Sequence, residues 1–252
     1  MFKVTPHSIR MLCPNAKQSI IDGVASYFNS YAGKYGIDTD LELCHFFAQA
    51  AVETAWFQTL EEFASGREYE GRTDLGNTQP GDGVRYKGRG IFQTTGRDNY
   101  ARFGKIMGLD LVNNPELLLN PEYAVVSALE YWKYKNIGPA AAADDVNRVT
   151  YLINGGYNGL NDRRAALAKM KVIVSNGGDE ISLGDRGQEV ENLQIMLKLL
   201  GYKVGVIDGL YGPATDSALR MFQSDNGLPQ TGSANDTTLK LLEKKIDEKK
   251  KE

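Results

Sequence analysis

The stretch from Gly36 to Phe57, GIDTDLELCHFFAQAAVETAWF, constrains the fold of this chain more than any other. Thr39 with Glu42 has the form of a capping box, in which each side chain answers the other's backbone amide, and the apolar residues behind it recur at helical spacing. On such a helix Glu53 shares its face with Phe46, Ala50 and Phe57, so a carboxylate lies on the apolar stripe. Two explanations are open. Desolvation there raises a carboxyl pKa, as a proton donor near neutral pH requires, or the acid is structural and paired with an arginine.

The next acids are Glu61 and Glu62. An unbroken helix would separate the backbones of Glu53 and Glu62 by roughly 13 Å and put them on opposite faces. Inverting glycosidases hold their two carboxyl groups about 6.5 to 9.5 Å apart, with room for a water. A shared role for the two acids therefore requires the helix to end near Phe57 or Leu60 and the chain to fold back. Glu61, Glu68, Glu70 and Asp74 precede a glycine-rich stretch, and spacing does not choose among them as a base.

The bulk properties narrow the class. With 252 residues, 42% hydrophobic and 24% charged, the chain is a soluble globular protein of one large or two ordinary domains. Up to residue 175 it carries 19 basic and 19 acidic residues, and beyond it 10 and 13. Neither part is basic, which disfavours nucleic acid as a partner and suits an uncharged or mixed-charge polymer. Two cysteines (Cys13 and Cys44) and two histidines provide no metal-ligand spacing, so no metal and no cofactor is expected. Cys44 sits in the helical pattern and reads as a reduced core thiol. The opening MFKVTPHSIRML lacks the apolar run of a signal peptide, and no segment reaches the roughly 18 apolar residues needed to cross a bilayer. Synthesis in a cytosol, without membrane insertion, is the expectation, and nothing in the chain implies an oligomer.

The segment VIVSNGGDEISLGDRG leaves a helical pattern, passes Asn176-Gly177-Gly178 and enters a new start signal. It divides the chain into residues 1–176 and 177–252. In the first part, Asn114-Pro115 and Asn120-Pro121 each read as an N-cap with proline at the first helical position. DDVNRVTYLINGG is a short helix that stops at glycine, and residues 64–90 form a loop or short-strand region of a length that is usually functional. In the second part, Leu193, Leu197 and Leu200 make one apolar face, Ala218, Met221 and Phe222 another, and Leu239 and Leu242 a third. The closing EKKIDEKKKE is a solvated, fraying helix end.

Three co-linear motifs, HFFAQAAVETAWFQTLEEF, YKGRGIFQTTGRDNY and INGGYNGLNDRRA, together resemble the catalytic domain of glycoside hydrolase family nineteen over about residues 40 to 170, most closely its bacteriophage endolysin branch. The resemblance implies a mainly α, lysozyme-like fold with long loops and single-displacement hydrolysis of a β-1,4 glycosidic bond. It implies Glu53 as general acid and Glu62 as the base that activates water. Thr95 takes the place of the hydroxyl residue that steadies this water. Gln93, Asn99, Asn154 and Arg163 match residues lining the sugar cleft, where amides and hydroxyls can both donate to and accept from sugar groups. The chitinases place their base further along, which keeps Glu70 as an alternative. Val52 and Ala55 stand where the family often has histidine and threonine, which weakens the chitinase analogy. Taken singly, these residues also have structural readings: Gln93 can satisfy loop backbone, and Asn154 before two glycines can be a helix stop.

Residues 183 to 242, from LGDRGQEV through DGLYGPAT to DTTLKLL, resemble the peptidoglycan-binding three-helix module of cell-wall hydrolases. Tyr202 and Tyr211, beside its glycine turns, are candidate wall contacts. The combined expectation is a monomeric endolysin-type muramidase acting on bacterial peptidoglycan after release from a host cytosol. A lytic transglycosylase needing Glu53 alone, a chitinase, and a non-catalytic wall-binding protein are the competing readings.

Overall fold

The computed structural model describes residues 1–175 and 180–250. The expected division between 176 and 177 lies outside the described residues. The chain separates into two compact units, Met1–Thr5 with Ile9–Val174 and Pro6–Ser8 with Ser175–Glu252. The helices are α1 (Pro6–Leu12), α2 (Gln18–Tyr31), α3 (Asp40–Glu53), α4 (Asp82–Arg85), α5 (Arg97–Met107), α6 (Pro121–Tyr134), α7 (Gly138–Ala142), α8 (Val146–Asn154), α9 (Leu160–Ser175), α10 (Gln188–Leu199), α11 (Pro213–Asp225) and α12 (Asp236–Lys249). Among the described residues the only β pairing is in isolated bridges, and no helix is long and apolar enough to cross a membrane.

The axis of the first unit is α3. Its capping box forms as the sequence requires: Thr39 accepts from the Glu42 amide while the Glu42 side chain accepts from the Thr39 amide. Every residue from Glu42 to Ala51 is buried, so the helix has no solvent face along most of its length. Phe46 and Phe47 pack with Phe28 of α2, Phe92 and Trp132 of α6, with ring centroids between 4.8 and 5.8 Å apart. Ala48, Ala50 and Ala51 supply the small surface that lets neighbours close on such a helix. Cys13 and Cys44 are both free and buried, and burial pushes each thiol up to about 12.

Two expected caps behave differently. Asn120 accepts from the Glu122 amide at 2.9 Å with Pro121 at the first position of α6, as predicted. Asn114 does not cap: Pro115–Leu119 is a single 3-10 segment, and the Asn114 side chain donates instead to the Asp110 carbonyl. The predicted helix before INGG is α8, capped by Asp145 on the Arg148 amide and stopped by Gly155 in the left-handed conformation at φ 75°. The 64–90 region contains short helical turns at Arg67–Tyr69, Thr73–Leu75 and α4 rather than strands. A smaller aromatic cluster of Tyr86, Tyr100, Phe103, Leu111 and Leu118 supports it.

In the second unit, α10, α11 and α12 enclose Val190, Leu193, Leu197, Ala218, Leu219, Phe222 and Leu242. Met221, expected in this core, is 57% exposed, and Leu219 takes its place, because the buried stripe of α11 runs through 215, 218, 219 and 222. The C-terminal charges continue α12 to Lys249, with Lys245 paired to Glu248.

Gly23 on α2 fixes the approach to α6, since a Cβ there would lie 2.4 Å from the Pro121 ring. The Gly23→Ala variant is expected to lose about 1–3 kcal/mol, because a proline ring cannot swing aside; urea unfolding checks this. Burial lowers the pKa of His45 below its ordinary 6.5, against the opposing hydrogen bond from Nε2 to Asp144. The unfolded chain therefore binds more protons at His45 than the folded one. That contribution is complete above pH 6.5 and is lost as pH falls through the lowered folded value. Urea midpoints measured across this range should fall with pH more steeply for the parent than for a His45→Gln variant.

Candidate active site

The site begins where α3 stops. Thr54 donates through Oγ1 to the Ala50 carbonyl at 2.7 Å and accepts from the Phe57 amide at 2.9 Å. Ala55, Trp56 and Phe57 follow with φ of 48°, 61° and 58°. A left-handed turn of three side-chain-bearing residues costs about 1–2 kcal/mol per residue. Burial of Phe57, which is 0% exposed, and the Thr54 bonds hold it in place. The helix thus ends at Glu53 itself, earlier than the predicted Phe57 to Leu60, and the chain reverses at once.

After the reversal, Leu60 to Glu62 run beside Gly88 to Gly90. The Gly90 amide donates to Leu60 O at 2.8 Å and the Glu62 amide to Gly88 O at 3.0 Å, while Arg89 exchanges both backbone bonds with Thr94. This pairing gives the two adjacent acids different surroundings. Glu61 binds cations, Arg89 Nε at 2.9 Å and Lys87 Nζ at 3.3 Å. Glu62 accepts from neutral donors, the Gly88 amide at 2.7 Å on Oε1 and the Tyr69 hydroxyl at 2.9 Å on Oε2. Burial first, then the bond to Glu62, pushes the Tyr69 hydroxyl up to about 12, so it keeps its proton at neutral pH and remains a donor.

Gly88 also gathers the polar residues of GRGIFQTTG. A Cβ there would lie 2.7 Å from Gln93 Oε1 and 3.3 Å from Thr95 Oγ1, so the absence of a side chain lets both approach the backbone that holds Glu62. Gln93, at φ 50°, donates to Gly90 O; Thr95 donates to Gln93 O; Asn99, in the first turn of α5, donates to Thr95 O. Gln93 therefore does satisfy loop backbone, and its side chain lies against Gly88, whose amide donates to Glu62.

Glu53 is ion-paired with Arg163, the alternative that periodicity leaves open. The Glu53 side chain is 14% exposed and accepts from Arg163 Nη2 at 2.6 Å. Arg163 is itself buried, donates through Nη1 to Gln49 Oε1 and through Nε to Asn158 O, and Gln49 in turn donates to Thr150. Its role is therefore to hold Glu53 from below rather than to line an open cleft. Asn154 ends α8 before the left-handed Gly155 and is exposed.

Glu70 is engaged elsewhere. Its two oxygens accept from the Gly81 and Gly83 amides at 2.7 and 2.8 Å, which makes it a staple across the 70–83 loop. Asp74 pairs with Arg72. In the second unit, Tyr211 is 2% exposed and donates to Gly232 O, so it is a core residue and not free to face a ligand. Tyr202 lies edge-on to Phe222 and donates to Asp225.

Two residues of the site escape the sequence reading. Tyr69 sits in a loop without periodicity. Tyr131 sits in an apolar helix where nothing marks it as more than core; its hydroxyl donates to the carbonyls of Leu152 and Ile153, and burial together with the charge of Glu53 raises its pKa. Phe92, next to Gln93, meets the Tyr131 ring edge-on at 6.2 Å. That contact ties the segment that carries Gln93 to α6.

Residues 19–188, more than half of the chain, match the family profile described as chitinase class I, that of glycoside hydrolase family 19. The chain belongs to glycoside hydrolase family 19. Residues 186–242 match a putative peptidoglycan binding domain. A family 19 domain-containing protein of Haemophilus influenzae is 36% identical over 120 residues, 48% of this chain and 58% of that protein. An endochitinase of Arabidopsis thaliana is 34% identical over 144 residues, 57% of this chain and 49% of the relative. A spore cortex-lytic enzyme of Bacillus cereus is 37% identical over 76 residues, 30% of this chain and 29% of that enzyme. The family 19 chain thus spans about half the length of these first two relatives. Among solved structures, chitinase C of Streptomyces griseus superposes with a TM-score of 0.58 at 20% identity over 69% of this chain and 77% of its own. A class IV chitinase of Zea mays gives 0.54 at 19% over 67% and 92%. The expected mainly helical, lysozyme-like fold is the fold observed.

Gly88→Ala tests the convergence on Glu62. The added methyl pushes the Gln93 amide away, and a displacement of about 1 Å in a positioning group can lower turnover about 100-fold. The rate of glycoside hydrolysis should fall on that scale while the unfolding midpoint stays near the parent's.

Proposed function

We propose that the chain is an endolysin-type muramidase, a monomer that hydrolyses β-1,4 glycosidic bonds of bacterial peptidoglycan by inversion. In this reading it is made in a host bacterial cytosol and reaches the wall after release. The observation that carries the reading is the union, in one chain, of a family 19 unit with a peptidoglycan-binding match. A second unit that holds the polymer raises the local concentration of bonds at the first.

Glu53 is the proton donor to the leaving sugar oxygen: Arg163 holds Oε1, and the proton that is transferred is carried on Oε2, so the acid donates from its protonated form while the arginine contact is kept. Glu62 is the base. Its neutral partners leave its negative charge available to a water, whereas the charge of Glu61 is already matched by Arg89 and Lys87. Thr95 and Gln93 stand where a hydroxyl and an amide can orient that water and the sugar's N-acetyl group. In the step, the water attacks the anomeric carbon and gives its proton to Glu62, while the glycosidic C–O bond breaks and its oxygen takes the proton of Glu53.

Product analysis on purified peptidoglycan tests this with the parent, Glu53→Gln and Glu62→Gln side by side. Hydrated muramic acid reducing ends are expected from the parent, with rates lower by about 100-fold or more in each variant. Anhydromuramic ends would establish transglycosylation instead. Soluble oligosaccharides from chitin, without wall clearing, would establish a chitinase. Full activity of Glu62→Gln would remove the base assignment.

A further inference from the structure

Tyr151 stands two residues before the INGGYNG segment and Tyr157 within it, and neither has a part in the chemistry above. They are 45% and 58% exposed, and their rings lie 5.9 Å apart at an interplanar angle of 42°, so two aromatic faces are presented side by side. We infer that Tyr151 and Tyr157 form an aromatic platform for a sugar ring of the glycan strand beside Glu53. The inference rests on the glycosidase reading and names a binding element for it.

Three contacts bring the segment to the acid. A Cβ on Gly159 would lie 3.3 Å from Val52 Cγ1, so the end of the loop packs on the residue preceding Glu53. The Asn158 carbonyl, next to Tyr157, takes Arg163 Nε at 3.1 Å, and the same guanidinium holds Glu53. At the other end, the Leu152 and Ile153 carbonyls, next to Tyr151, take the hydroxyl of Tyr131, which feels the charge of Glu53. The stretch from Tyr151 to Gly159 is thus tied to neighbours of Glu53 at both of these places, and it carries both exposed rings.

The chemistry fits a pyranose. Such a ring presents C–H groups on its faces and hydroxyls at its rim, and tyrosine offers an apolar body with a polar tip. The Arg148 guanidinium lies 5.7 Å from the Tyr151 ring centroid and braces it from the preceding turn of α8. Exposed Asn154, between the two tyrosines, offers an amide to the sugar's rim.

The test is steady-state kinetics of the full chain on soluble, uncrosslinked glycan strands freed of stem peptides. The Tyr151→Ala/Tyr157→Ala pair should raise KM about tenfold with kcat within about twofold of the parent. The Tyr151→Phe/Tyr157→Phe pair keeps the rings and should retain the parental KM, which also controls for folding. An unchanged KM in the alanine pair, or an equal rise in the phenylalanine pair, would overturn the platform. A separate readout covers failure of the underlying reading. The chain's two tryptophans, Trp56 and Trp132, both belong to the first unit, so their emission reports strand binding there without turnover. If the parent cleaves no strands, the glycosidase reading falls. The platform then stands if strands shift this emission in the parent and the alanine pair weakens the response, and falls otherwise.

Discussion

The reversal after Glu53 is the constraint on which the rest of the site depends. Were α3 to run on, its next turn would carry the chain away from the acid. Thr54 stops it by turning its hydroxyl to both sides, back to Ala50 and forward to Phe57. The left-handed residues that follow are individually unfavourable, and strain of this kind persists only where the surroundings over-determine it. Here the surroundings are the aromatic core, into which Phe57 is driven by the same turn. One local distortion thus serves two ends: it fills the core and leaves Glu53 at the last position of a rigid helix, where the backbone fixes its base and the Arg163 fork fixes its tip.

The difference between Glu61 and Glu62 is the second organising principle. Adjacent residues in an extended segment point to opposite sides, so one bridge between residues 60–62 and 88–90 is enough to send the two carboxylates into unlike environments. On one side are Arg89 and Lys87, which tie the segment to its neighbours. On the other are an amide and a phenol. Ion pairs match a carboxylate's charge with an opposite one, whereas an amide and a phenol orient it and bring no opposite full charge. The chain uses the first acid as scaffold and holds the second by its geometry alone.

Much of this is legible in the sequence because it is local. The Thr39–Glu42 box, the Asn120-Pro121 start and the Gly155 stop depend on residues within a few positions of each other, and all form. A fold-back between Glu53 and Glu62 is legible as well, as what helix geometry demands if the two acids share one role. Its location is not, since Ala55, Trp56 and Phe57 carry no glycine or asparagine to announce positive φ, and only tertiary packing selects it. Arg163 is 110 residues from Glu53, and periodicity cannot say which of the ten arginines up to residue 176 answers an acid. Glu70 shows the converse: an acid in a glycine-rich loop looks free in one dimension, yet it is consumed by the amides of Gly81 and Gly83.

The second unit extends the same point to aromatic residues. With three short helices, its core is small, and the connecting turns must be pinned by something other than apolar contact. Gln194, 1% exposed, does this with both ends of its amide: Nε2 donates to Asp208, Leu210 O and Thr215, and Oε1 accepts from the amides of Asp208 and Gly209. Gln223 repeats the device on Thr231, Gly232 and Ser233. Once the DGLYG turn is drawn onto Gln194, the side chain of Tyr211 passes inward and its hydroxyl meets the Gly232 carbonyl. A tyrosine beside a glycine turn therefore reads as exposed only if the turn is free. In a module with so little apolar volume, a buried amide that fixes the turn also decides which aromatic residue becomes core.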